Sequence, residues 1–152
     1  MIRKNQAGFT LIEMLIVVAV IGILSSVLLN ALGPAKDKAK DARIIQEVNQ
    51  VRALAETLYD GTYKNLETLP KAEIQNINLK SLADDITLQG GQLVIRKPSL
   101  NSYITYSKLN VMVGTADVPQ INYYCVDATG RSGYTINDQA LTNPRQGQCP
   151  FE

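Results

Sequence analysis

Apolar residues run almost unbroken from Phe9 to Leu32, and over these 24 positions Glu13 alone carries a side-chain charge. At about 1.5 Å per residue the run spans roughly 36 Å as a helix, enough for a bilayer core of about 30 Å. Gly22, Ser25, Ser26 and Asn30 punctuate it without ending it. Beyond Pro34 the period changes. Ala35, Ala39, Ala42, Ile45, Val48, Val51, Ala55 and Leu58 recur every three or four positions, which predicts an amphipathic helix to about Tyr59. Asp60-Gly61-Thr62 stops it. Residues 61–85 read as a loop with a turn of helix around Ile77–Asp84. Ile86–Gln89 and Gln92–Arg96 then read as a hairpin about Gly90-Gly91, with Pro98 closing its second strand. Ser102–Leu109 alternates and is rich in β-branched and aromatic residues, and Ile121–Val126 follows Pro119; both read as strands. The expectation is an α+β chain: a long amino-terminal helix, half transmembrane and half amphipathic, packed on a small antiparallel sheet head.

A carboxylate inside a membrane helix costs about 2.5–3.5 kcal/mol, so Glu13 calls for a positively charged partner from another molecule. The flanks sharpen this reading. Met1 to Gly8 form a polar leader with two positive charges, Arg3 and Lys4, which should hold the amino end in the cytoplasm and put the residues after Leu32 outside. An ordinary secretory signal has a shorter apolar core followed by a small-residue cleavage site. Here the candidate cleavage point precedes the run, between Gly8 and Phe9.

Lys4-Asn-Gln-Ala-Gly8-Phe9-Thr-Leu-Ile-Glu13 and the apolar run after it resemble the class III signal of type IV prepilins and the related pseudopilins. The resemblance is specific over residues 1–32 and looser to about Tyr59. It implies the type IV pilin fold, cleavage after Gly8 by a membrane prepilin peptidase, and N-methylation of the new terminus, Phe9. It also makes Glu13 the family's buried acid. Cleavage leaves an ammonium on Phe9, which can pair with Glu13 of a neighbouring subunit and fix axial register; within one helix the two share a face at i, i+4. The competing reading is a single-pass anchor whose Glu13 sits near the headgroups. The chain departs from the family at Asn30, where many members carry proline. Gly33-Pro34 comes shortly after, so a helix kink is expected around residues 30–34, with Gly22–Pro34 as the extensible stretch.

The expected organisation is a cleaved leader (1–8), a filament-core helix (9–33), an amphipathic helix (34–60) and a head (61–152) ending in a loop between Cys125 and Cys149. These are the only two cysteines, and the compartment outside the membrane is oxidising. Carboxyl-terminal disulfide loops are common in the family; two free thiols are the alternative. A bridge would close about 25 residues, worth roughly 3–3.5 kcal/mol on the chain-entropy model.

The sequence argues against an enzyme. There is no histidine, no phosphate loop and no zinc-ligand set, so no cofactor and no metal are expected. Asp127, Asn137 and Asp138 are candidate calcium ligands, but they match no EF-hand spacing. Lys36, Asp37, Lys38, Lys40, Asp41 and Arg43 read as a solvated helix face rather than a phosphate patch, with Asp37–Lys40 and Arg52–Glu56 as weak surface pairs. Tyr103, Tyr106, Tyr123 and Tyr124 fit strand packing better than base stacking. Fifteen basic and 14 acidic side chains become 13 and 14 once Arg3 and Lys4 are lost. So balanced a subunit packs densely without self-repulsion and offers nucleic acid no net attraction; DNA binding is not indicated.

The function expected is that of a major subunit of a type IV pilus-like filament, serving adhesion, twitching motility or DNA uptake. The alternative is a pseudopilin of a type II secretion or competence system. Expected partners are further copies of the chain, the prepilin peptidase, the assembly platform, minor pilins and, before assembly, the membrane.

Overall fold

The computed structural model describes residues 9–115, 117–136, 141 and 147–150, apart from the side chains of Asn30 and Ala31. The leader 1–8, and with it Gly8, lies outside the described residues, as do Asn137, Asp138, Asn143 and Pro144. Contacts divide the chain into two compact units, Met1–Lys36 and Asp37–Glu152.

Helix α1 spans Leu11–Thr57 and contains Pro34. It continues through Gly33 and Pro34, so the proline costs a backbone hydrogen bond there without ending the helix. In the first unit the large apolar side chains from Phe9 to Leu32 are exposed. This half of α1 is long and apolar enough to cross a membrane.

In the second unit the helix turns amphipathic, as expected: Val48, Val51 and Ala55 are buried, and Ile45 and Leu58 are half-buried against the core. The departure is at the start of this stretch, where Asp41 and Ile44 are buried while Ala39 and Ala42, like Ala35 before them, are exposed. There Ile44 takes the core instead of Ala42, because the larger side chain buries more apolar area. Asp41, read from sequence as part of a solvated face, is therefore inside.

Helix α2, Ile77–Leu88, corrects the proposed hairpin: Ile86-Thr87-Leu88 is its last turn and Gln89 its C-cap. Leu79 and Ile86, seven residues apart, face the core together. Asn76 caps the start, its side-chain oxygen accepting from Asn78 N (3.0 Å) and Leu79 N (3.1 Å). Gly90, at φ +91°, is the helix stop and not a hairpin turn. Gly91 is required for space: a Cβ there would lie 2.6 Å from Ser107 Oγ.

The sheet has the order β1-β2-β5-β6 and is antiparallel throughout: β1 Leu93–Ser99, β2 Ser102–Lys108, β5 Tyr123–Asp127 and β6 Ser132–Thr135. Between β2 and β5 the chain makes a separate hairpin of β3 (Val113–Thr115) and β4 (Val118–Gln120). The expected α+β fold is borne out. Pro98 does not end β1, because β1 is an edge strand and its register shifts between Arg96 and Ser99. The hairpin β3–β4 and strand β6 were not expected; they are short and carry no strong alternation.

Both faces of the sheet are covered. Leu93, Ile95, Tyr103, Tyr124 and Val126 join the core with α1, while Val94, Ile104, Tyr106 and Cys125 pack with Leu141 and Cys149. That second layer explains why β2 is buried on consecutive positions rather than alternate ones.

Candidate functional site

The amino end of α1 is built by Thr10 and Glu13. The carbonyl of Thr10 accepts from Met14 N (3.4 Å), which makes Thr10 the N-cap. Its N–H and hydroxyl both donate to Glu13 Oε2, at 2.8 and 2.7 Å, and Glu13 N donates back to Thr10 Oγ1 at 3.3 Å. This is a capping box, Thr-x-x-Glu. Both side-chain bonds fall on Oε2, so among the described residues Oε1 accepts nothing. Phe9 lies before the N-cap, outside the helix and exposed; the expected i, i+4 relation on one helix face therefore does not hold inside a single chain. Thr10 was missed by the sequence reading, although the Thr-x-x-Glu spacing ahead of an apolar run was available as its signal.

At the other end of the chain Cys125 and Cys149 are joined by a disulfide, with Cα atoms 5.9 Å apart. Asp127, fully buried two residues after Cys125, holds the same segment. Its Oδ1 accepts from Thr129 N (2.9 Å), Thr129 Oγ1 (2.6 Å) and Arg131 N (3.1 Å), and its Oδ2 from Cys149 N (3.0 Å). A carboxylate so committed to N–H and O–H donors is a clamp rather than a calcium ligand; the other two candidates, Asn137 and Asp138, lie outside the described residues. Among the described residues no group of acids, cysteines or histidines is arranged to hold a metal.

Two further carboxylates do similar work. Asp41 accepts from Asn110 N (2.6 Å), Asn110 Nδ2 (2.8 Å) and Val111 N (2.9 Å), tying α1 to the segment after β2. Glu67 accepts from Asn76 N (2.7 Å) and Gln75 N (3.0 Å) and pairs with Lys71 at 2.9 Å. The Asn76 N–H and the Lys71 ammonium hold the Glu67 carboxyl below its usual range.

Helices α1 and α2 are joined by Arg43, whose Nε and Nη2 donate to Asp85 at 2.6 and 3.1 Å, a bidentate pair. Arg43 keeps the Asp85 carboxyl low, while burial and the nearby Asp85 push Glu47 up. The pairs Asp37–Lys40 and Arg52–Glu56 do not form. Arg52 donates instead to the carbonyl of Gly130 (3.4 Å), and Glu56 accepts from the Tyr63 hydroxyl (3.0 Å). Burial, with Glu56 beside it, pushes the Tyr63 phenol up to about 12. The ammonium of Lys97 reaches the carbonyls of Tyr63 (3.3 Å), Lys64 (3.2 Å) and Leu66, closing the turn after α1. Tyr103, Tyr106 and Tyr124 are buried, so no base-stacking platform exists at those positions.

The residues thus give an apolar helix with an incompletely used acid at its start and a head held together by buried carboxylates. The prokaryotic N-terminal methylation motif matches residues 3–29. Among curated proteins, the chain is 35% identical over 100 residues to the type IV wide pilus major component PilA4 of Thermus thermophilus, covering 66% of this chain and 71% of that protein. It is 42% identical over 60 residues to a type IV major fimbrial protein, FimA, of Dichelobacter nodosus, covering 39% and 38%. To the type II secretion system core protein G of Pseudomonas aeruginosa it is 32% identical over 89 residues, covering 55% and 63%. No solved structure matches the chain significantly.

Proposed function

Because the chain belongs to the type IV pilin family, we propose that it is a major structural subunit of a type IV pilus-like extracellular filament, polymerised through its amino-terminal helix. Prepilin peptidase cuts between Gly8 and Phe9, and Phe9 is then N-methylated. Before assembly the chain is a single-pass membrane protein with its amino end in the cytoplasm; afterwards it lies in a surface filament. The assembly platform and minor pilins are its other partners, and adhesion, twitching motility or DNA uptake are the uses of such a fibre.

The observation that carries this reading is Glu13. Its Oε2 completes the capping box with Thr10, while Oε1 has no donor among the described residues. The Phe9 ammonium of an adjoining subunit is a donor of the right charge, and in an apolar surrounding neither charge is tolerable alone. Pairing neutralises both and sets the axial stagger. Gly33 and Pro34 mark where the helix gives way when the fibre is stretched.

Mass spectrometry of the chain from surface fibres tests the processing: the first residue is expected to be N-methylated Phe9, and any other start overturns it. The likeness to a type II secretion core protein favours a second reading, a short periplasmic pseudopilus. Long shed fibres composed mainly of this chain would exclude that alternative.

A further inference from the structure

Helices α1 and α2 meet at a polar contact as well as an apolar one. Ile44 and Val48 of α1 share the core with Leu79 and Ile86 of α2. Beside them Arg43 of α1 holds Asp85 of α2 through two hydrogen bonds, at 2.6 and 3.1 Å. One helical turn after Arg43 comes Glu47, on the same side of α1 and only 8% exposed. Arg43 gives its hydrogen bonds to Asp85 and none to Glu47. The group that Glu47 does reach is the Asp85 carboxyl, which also accepts from the side chain of Gln89.

Two carboxylates facing one another are an incomplete arrangement. Ionised, both are acceptors only, and one must carry a proton before a hydrogen bond can join them. Arg43, Glu47 and Asp85 bring one positive and two negative groups together. One negative charge is left over, and it falls on the side chain that is out of water. Nearby charges do not offset it. Lys80 and Asp84 of α2 pair with one another at 2.6 Å, and Asp41 of α1 is filled by Asn110 and Val111.

We propose that Glu47 and Asp85 share a single proton in acid solution and so form a pH-sensitive latch that draws α2 onto α1. The latch stands whether or not the chain polymerises. Burial, and then the Asp85 charge, favour the proton on Glu47, whereas the Arg43 guanidinium keeps Asp85 ionised. Glu47 therefore donates and Asp85 accepts. Because Glu47 titrates above its ordinary 4.5, the bond is complete below that value and is lost as pH rises through the folded pKa. Asp85 titrates below its ordinary 3.8, so it still accepts where Glu47 is protonated. At neutral pH the two acids repel, and α2 is held by Arg43 and the core alone.

Amide hydrogen exchange over residues 77–88 of the detergent-solubilised full chain tests the latch, with each rate corrected for the intrinsic rate at its pH. Wild-type protection is expected to rise about fivefold from pH 7.5 to pH 4.5. In Glu47→Gln the amide donates to Asp85 at every pH. This variant should show the acid level already at pH 7.5 and change by less than about twofold. Glu67, whose carboxylate accepts from Asn76 N at the start of α2, is intact in both proteins, so its own titration cancels in the comparison. A wild type without the rise, or a Gln variant that rises in parallel with it, overturns the latch. Should Glu47→Gln fail to fold, Asp85→Asn decides. Its amide donates to the ionised Glu47, so the rise should vanish; a rise that persists overturns the latch.

Discussion

Glu13 in the first unit and Asp127 in the second are carboxylates in very different company. Glu13 uses one oxygen on its own helix and sits among exposed apolar side chains. Asp127 fills both oxygens from its own fold and is fully buried. The same contrast holds for the rest of each unit. From Phe9 to Leu32 the large apolar side chains find no cover within the chain, while the head buries its own on both faces of the sheet. One unit leaves its apolar side chains uncovered within the chain; the other builds a core of its own.

The largest effects should come from breaking the first unit. Gly8→Val should abolish processing, so that only precursor accumulates, while non-reducing gels still show the Cys125–Cys149 bridge in a folded head. Glu13→Ala should allow insertion and cleavage yet nearly abolish fibres in electron micrographs. Glu13→Gln sharpens the point. It keeps an acceptor for the Thr10 cap but lacks the charge, so it should fail to assemble as Glu13→Ala does; normal piliation would make the acid a helix cap and nothing more.

Breaking the second unit should change stability and leave membrane insertion untouched. Asp127→Ala strands buried donors on Thr129, Arg131 and Cys149, and should cost about 3–5 kcal/mol in denaturant unfolding of the detergent-solubilised chain. Replacing both Cys125 and Cys149 with serine should cost roughly 3 kcal/mol. That loss is cushioned because Asp127 still holds the Cys149 N–H.

The smallest effect concerns pH. The lowered pKa of Glu67 means its contribution is present above the unfolded value of 4.5 and fades as pH falls through the lower folded value. Glu67→Gln should therefore flatten the acid limb of a stability–pH curve. Glu47 has the opposite sign: its raised pKa contributes below 4.5 and is lost as pH rises through the folded value. Glu47→Gln should accordingly be neutral or slightly stabilising at pH 7.

The same contrast governs how much was legible beforehand. The apolar segment was legible as a helix long and apolar enough to cross a membrane, because length, hydropathy and one charge are properties of sequence alone. The head was read in outline. Strands β1, β2 and β5 are legible in their β-branched and aromatic residues, but Ile86–Gln89 reads as a strand and is the end of α2. A short apolar run does not reveal its period until Leu79 shows which face it shares. Asp41 was misplaced because only its donors, Asn110 and Val111, some seventy residues away in sequence, make a buried acid acceptable. The Thr10 cap is legible in the Thr-x-x-Glu spacing, which is easily masked by the single charge in an apolar run.

The central claim is that Glu13 completes its second oxygen with the amino end of another subunit. A near-atomic electron cryomicroscopy map of fibres built from this chain tests it most directly. The Glu13 carboxylate is predicted to lie within about 4 Å of a neighbour's Phe9 nitrogen, the range of an ion pair. A Glu13 that faces solvent, or stands far from every amino end, would contradict it.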